Sequence, residues 1–379
     1  MKIGIIGCND VSLCFGIKLS ESINDITYYD ENDDILHNLK NNIYITNEPY
    51  LQESLLIASN IKTTNSILEL IDKTDIIFYF IEHKKNIDDT YDTNSLYKIT
   101  DEYLKASNNN IVVYDKHLVI TTDLNIGDSE RNKIKLEPYN VHIGYLPLFF
   151  KTGKIINMIK KLDFLILGCN NQTLRDSVVR IFNRLNKNMM RCYTMTLNSA
   201  ELTKITLNTF IGLKNTFINN IINLVDELKL LDEKELIIGA IFDNPEISKL
   251  PFKSKKIYYP ELNVNDIKIF NSLIEDYNIS NHISSNIISS NEYSLNKIKE
   301  KLSKIDDDKS KPFLFEEINN SDFEIEIITY LLSLGHNVVI LDHNFISDKL
   351  KKLSIEYNGK LKFYKNAYNL PSININILI

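Results

Sequence analysis

The sequence predicts an α/β protein in three parts: an N-terminal doubly wound sheet, a helical middle built on one long central helix, and a smaller C-terminal α/β unit. Three patterns point there. Short apolar runs alternate with amphipathic stretches through the first half. Residues 199 to about 230 keep a helical period with no proline and a single glycine, Gly212. After a polar, charged stretch near 302–311, the alternation of helix and strand returns.

Along the chain, residues 2–7 (KIGIIG) form an apolar run ending in Gly7, residues 13–22 read as a helix, and Ile26–Tyr29 read as a second strand stopped by Asp30. Further strands are expected at 75–81, 111–114 and 141–144, separated by helical stretches. Such alternation favours a parallel sheet covered on both faces. The first domain is expected to span 1–195. A helix from 199 to 230 would run about 45 Å at about 1.5 Å per residue, the length of a spine or a dimer surface. The middle domain, 196–300, reads as mostly helical with a break around residues 245–260. In the last domain, 301–379, a helix at 322–334 is stopped by Gly335, and a strand follows at 337–341 before Asp342.

The 379 residues are 44% hydrophobic and 25% charged, which excludes a disordered chain and leaves ample core for several domains. Lys plus Arg total 43 against 50 Asp plus Glu, a net charge of −7, so no basic field exists to hold nucleic acid. No apolar run is long enough to span a bilayer, and no membrane partner is expected. Cys8, Cys14, Cys169 and Cys192 follow neither a disulfide framework nor metal-ligand spacing. A cytoplasmic protein without a metal is the expectation.

Residues 7–12 (GCNDVS) stand where a G-x-G-x-x-G dinucleotide loop belongs, after the first strand and before the first helix, and Asp30 follows about 20 residues on. Gly7, Asn9, Val11 and Asp30 are therefore the candidate cofactor-binding residues. Position supports a nucleotide site while composition does not, because Asn9 and Ser12 replace the second and third glycines. A Cβ at Asn9 would crowd a phosphate at a cost of about 1–3 kcal/mol if the backbone could not move. Cys8 admits a lowered thiol pKa at a helix N-terminus, against the simpler reading of a small buried filler.

The stretch Ser199-Ala200-Glu201-Leu202-Thr203-Lys204, with Asn208 and Phe217-Ile218-Asn219, resembles the central helix of UDP-glucose 6-dehydrogenases and related nucleotide-sugar dehydrogenases. Weaker matches extend the resemblance over most of the chain: KIGIIG with Asp30, Glu48-Pro49 before Leu51, Thr63-Thr64, Asp75, Pro147 with Gly153, Asp243, Ile247, Pro260 and Asp342. The resemblance implies a Rossmann-like NAD-binding domain, a helical domain that forms a homodimer, and a C-terminal Rossmann-like domain for UDP. It further implies NAD as cofactor, a UDP-sugar as partner, and two hydride transfers through a cysteine thioester. Lys204 and Asn208 then stabilise developing charge and position an oxygen. Their i, i+4 spacing puts an ammonium and an amide on one helix face.

Several positions depart from that pattern. The family's G-G-x-C-F/L-P-K-D loop reads here as residues 255–262 (KKIYYPEL), placing Tyr258 at the nucleophile. A phenol with a pKa near 10 is a poor substitute for a thiolate. Leu148 stands for the general-base carboxylate, Glu246 for a substrate-binding arginine, and His83 and His117 for cofactor-side threonines. The last cysteine is Cys192, so no alignment supplies the missing thiol. Losing such a nucleophile costs on the order of 10⁶ in rate. The expected function is a nucleotide-sugar dehydrogenase homologue that has lost full oxidation. The alternatives are a divergent NAD(P)-dependent enzyme performing one two-electron step with Lys204, and a dimeric interaction protein with empty pockets.

Overall fold

A computed structural model describes residues 1–23, 25–46, 48–58, 61–108, 115–151, 153–186, 190–244, 264–279, 283–304, 312–316, 318, 322–341, 347–364 and 375–377. They divide into two compact units, Met1–Ile205 and Thr206–Ile379.

The first unit contains strands β1 (Ile3–Ile6), β2 (Ile26–Tyr29), β3 (Lys62–Thr64), β4 (Ile76–Tyr79), β5 (Lys84–Lys85), β6 (Tyr91–Asp92), β7 (Lys116–Ile120), β8 (Val141–Tyr145), β9 (Phe164–Gly168) and β10 (Arg191–Met195). Its helices are α1 (Asp10–Ser20), α2 (Asp33–Lys40), α3 (Leu51–Ile57), α4 (Ile67–Lys73), α5 (Asn94–Asn108), α6 (Asp128–Leu136), α7 (Ile155–Lys160) and α8 (Gln172–Leu185). The large sheet runs β10-β9-β8-β7-β4-β1-β2-β3. Six of its strands, β3 to β8 in that order, are parallel. The remaining pair, β9 and β10, turns antiparallel where Tyr145 meets Gly168. The chain reverses its winding between β1 and β4, so the crevice for a ligand lies at their C-terminal ends.

The doubly wound sheet is the fold class the alternation predicted. Two expectations shift. The strand expected at 111–114 falls outside the described residues, and the strand nearby is β7, at Lys116–Ile120. Helix α1 begins at Asp10 rather than at residue 13 because Asn9 and Ser12 form a reciprocal cap: Ser12 N–H donates to Asn9 Oδ1 at 3.0 Å and Asn9 N–H to Ser12 Oγ at 2.9 Å. Apolar periodicity does not register a polar cap.

One face of the sheet is closed by Phe15 of α1, whose ring lies 4.9 Å from Phe78, 5.5 Å from Phe80 and 5.5 Å from Phe182. Burying each such ring contributes about 1.5–3 kcal/mol. A small residue is needed where α1 crosses β2. It is Gly16, not Ser12: a Cβ there would sit 1.9 Å from the Tyr28 hydroxyl.

Helix α9 (Leu197–Glu227) enters the second unit, which continues with α10 (Lys234–Phe242), α11 (Val264–Asp276), α12 (Ile283–Ser303), β11 (Phe313–Glu316), α13 (Asp322–Ser333), β12 (Val338–Leu341), α14 (Asp348–Glu356), β13 (Leu361–Tyr364) and β14 (Ile375–Ile377). Its four strands are parallel, in the order β13-β12-β11-β14. Helices α9 and α12 are clamped by Lys301 to Asp226 at 2.8 Å and Lys297 to Glu227 at 3.1 Å. Within this unit α9 buries Thr209, Asn215, Thr216 and Asn219 and exposes Phe210, Phe217, Leu224 and Leu228. The same helix buries Ile218, Ile222 and Val225, so it carries an ordinary apolar face and, beside it, a second apolar row that stays exposed.

Candidate functional site

The turn after β1 opens with Gly7 at φ +89°, and a Cβ there would approach Ile81 N to 3.0 Å, so glycine is required. Asn9 adopts extended backbone, φ −126° and ψ 176°, which any residue tolerates. Its amide turns back on the protein: Nδ2 donates to Phe80 O at 2.8 Å, while Oδ1 caps α1. The amide of Asn9 is thus spent on internal bonds. Val11 packs against the core beneath the helix start. Asp30 ends β2, accepting from Cys8 N–H at 2.8 Å and from Asn32 N–H at 2.9 Å. Asp10, in the first turn of α1, accepts from Thr46 Oγ1 at 2.8 Å. Burial pushes the Cys8 thiol far above its ordinary range, with Asp30 adding to the effect, so the filler reading of Cys8 is the one its surroundings support.

Lys204 is buried at 3% exposure, and its Nζ lies 2.5 Å from Asp123 Oδ1 and 5.5 Å over the Tyr91 ring. The Tyr91 hydroxyl donates to the other carboxylate oxygen of Asp123 at 3.3 Å. Asn125 holds Tyr91 in place, accepting from its N–H and donating to its carbonyl, both at 2.9 Å. One helical turn beyond Lys204, Asn208 Nδ2 donates to Asp266 Oδ2 at 2.5 Å. Asp266 is fully buried. Neither Asp123 nor Asp266 stood out in the sequence. An acid just past the end of β7 was the available signal for the first; the second carries none without α11 in place.

Two further carboxylates from the resembling motifs act on helix ends. Glu201, fully buried, accepts from Gly127 N–H at 2.6 Å, Ser129 N–H at 2.9 Å and Ser129 Oγ at 2.6 Å. Glu48 accepts from Gly153 N–H at 2.6 Å and Ile156 N–H at 3.3 Å. The residues preceding α6 and α7, Gly127 and Lys154, provide no side-chain cap of their own. Each helix is capped from more than 70 residues away in sequence.

His117 lies at the start of β7, on the opposite edge of the sheet from the crevice, with its ring 5.7 Å from His142. The cofactor-side position assigned to it by motif resemblance does not fit that placement; Thr121, Thr122 and Asp123 are the residues that follow the C-terminal end of β7. His83 does lie past the end of β4, with Nδ1 3.1 Å from Asp92 O. Among the described residues no cluster of three metal-ligating side chains exists. Leu148 packs against the core. Tyr258 and Glu246 fall outside the described residues.

Residues 1–186 match the family described as "UDP-glucose/GDP-mannose dehydrogenase family, NAD binding domain". This N-terminal part of the chain is a divergent member of that family. A UDP-glucose 6-dehydrogenase of Rickettsia bellii is 24% identical over 294 residues, covering 77% of this chain and 67% of that protein. One from Rhizobium meliloti is 25% identical over 238 residues, covering 60% and 53%. Among solved structures, a UDP-glucose dehydrogenase from Pyrobaculum islandicum superposes with a TM-score of 0.78 at 16% identity, covering 96% of this chain and 86% of that one. The UDP-D-ManNAc dehydrogenase of Pyrococcus horikoshii gives 0.69 at 15% identity, covering 99% and 98%. These likenesses show the fold.

The family implies NAD as cofactor. The residues present fit it: a left-handed glycine closes the turn, a helix N-terminus faces the crevice, and a carboxylate ends β2 at the usual place for a ribose. No helix among the described residues is long and apolar enough to cross a membrane.

Proposed function

We propose that this family member binds NAD and a UDP-sugar but does not carry the sugar through to the carboxylate. Gly7, Asn9, Val11 and Asp30 would hold the dinucleotide, which supplies a hydride acceptor when bound. The observation that carries the reading is the neutralisation of Lys204. A lysine that is to stabilise a developing oxyanion must bring net positive charge to it, and here the ammonium already faces the Asp123 carboxylate at 2.5 Å. Asn208 likewise donates to Asp266.

The absent thiol supports the same conclusion. If Asp266, rather than a residue near 262, is the final acid of the family's nucleophile loop, then the nucleophile position moves from Tyr258 to Leu262. Either register lacks a group able to hold an acyl intermediate.

The exposed apolar row of α9 supports a homodimer. Phe210, Phe217 and Leu224 recur every seventh residue, each more than half exposed, and a second copy of the same helix would cover them. The scattered free cysteines suit a cytoplasmic setting.

Purified protein mixed with UDP-glucose and NAD is expected to produce no NADH absorbance while NAD alone raises the melting temperature. Turnover to UDP-glucuronate overturns the proposal. A single equivalent of NADH per sugar, without carboxylate, would favour one two-electron step instead.

A further inference from the structure

Resting on the reading of Lys204 as a neutralised lysine, we infer that Glu201 is a positioning residue for that site. By capping α6 it holds Asp123 against Lys204, so the helix cap and the ion pair form one device.

The argument starts from what anchors the segment between β7 and α6. Residue 127 is a glycine at φ +89° with no side chain, so α6 cannot cap itself. Its first amides are satisfied by Glu201, whose two carboxylate oxygens take three hydrogen bonds from Gly127 and Ser129. A carboxylate at a helix N-terminus also complements the helix dipole. Immediately upstream, Asn125 bonds to Asp128 Oδ2 through its N–H at 3.0 Å and its Nδ2 at 2.9 Å, which folds the segment into a compact turn. The same Asn125 amide grips Tyr91, and Tyr91 donates to Asp123. Glu201, Asn125 and Tyr91 thus hold the segment that carries Asp123.

Glu201 and Lys204 are three residues apart on α9, neighbours on one helix face. The lysine and the acid that fixes its counter-ion therefore share a rigid element. If Glu201 releases α6, the segment loses its attachment to α9, and Asp123 is no longer held within 2.5 Å of the ammonium.

Glu48 provides the internal control. It is likewise a buried carboxylate capping a remote helix, α7, but its hydrogen bonds among the described residues go to Gly153 and Ile156 and not to the Asp123 segment. A purely structural role for Glu201 predicts that E201Q and E48Q behave alike.

The test is competitive labelling of lysines in the full-length protein by an amine-reactive reagent, read by mass spectrometry, alongside thermal melts. Gln keeps the shape of Glu201 but turns amide hydrogens toward the Gly127 or Ser129 donors. Expected are comparable losses of melting temperature in E201Q and E48Q, with Lys204 labelled about tenfold faster in E201Q and in D123N, and unchanged in E48Q. Lys204 labelling in E201Q equal to wild type, with D123N still accelerated, overturns the positioning role. No acceleration in D123N overturns the underlying reading of the ion pair. Should E201Q fail to fold, S129A, which removes one of the three bonds, is expected to accelerate labelling to a smaller degree, and no change there is equally fatal.

Discussion

The loop after β1 and the candidate residues of α9 depart from the resembling motifs in opposite ways. In the loop, two of three expected glycines are gone, yet the main chain keeps its form: Gly7 turns at positive φ, Asn9 caps α1, and the close crossing moves to Gly16. On α9, Lys204 and Asn208 are both present, yet their partners are carboxylates of the protein itself. A site thus persists without its consensus residues where backbone geometry does the binding. On the proposed reading, a site changes character with its residues intact where charge does the work, because a lysine's effect depends on its nearest counter-ion as much as on its own identity.

The contrast breaks most sharply at Gly16. If backbone form is what the first region preserves, Gly16→Ala should lower stability by about 2–3 kcal/mol despite the roughly 1 kcal/mol that alanine gains in a helix, since the added methyl meets the buried Tyr28 hydroxyl. Denaturant melts read this directly, and Tyr28→Phe in the same background should recover part of the loss.

A smaller effect belongs to Asn9. Replacing it with alanine removes a cap worth about 1 kcal/mol. If the side chain faces inward as described, the thermal shift produced by NAD should be the same for N9A and wild type. A markedly larger shift in N9A would show that Asn9 obstructs the cofactor, and would reverse the comparison.

The smallest predicted effect is a pH dependence away from both regions. Burial lowers the His117 pKa below its ordinary value, and the neighbouring His142 acts the same way against Asp115 and Asp75. The folded state therefore binds fewer protons than the unfolded state below about pH 6.5, and stability falls as pH drops through that range. His117→Leu should flatten the decline in melting temperature between neutral and mildly acidic pH. His83, lowered chiefly by burial, remains to give a residual slope.

Much of the fold was legible along the chain. The strand Ile26–Tyr29, the long helix and the return of α/β alternation near the C-terminus all emerge from apolar periodicity, a local property of hydrophobic patterning. The start of α1 was misplaced because polar caps carry no hydrophobic signal. The strand β7, Lys116–Ile120, was passed over because the apolar run at 111–114, which lies outside the described residues, drew the expectation instead. Of the candidate residues, Gly7, Asn9, Asp30, Lys204 and Asn208 come from motif and spacing. Asp123, Asp266 and Tyr91 were not, since each acquires meaning only by meeting a residue 58 to 113 positions away.

By itself the amino-acid order determined the alternating architecture, the absence of any thiol beyond residue 192 and the membership suggested by the central helix. Local dihedral preference, side-chain period and elemental composition are properties of a chain read one window at a time. What tertiary structure decided is the partner of Lys204 and the tasks of Glu48 and Glu201. Both depend on short-range charge and hydrogen-bond contacts between segments that are neighbours only once the sheet and its helices have assembled.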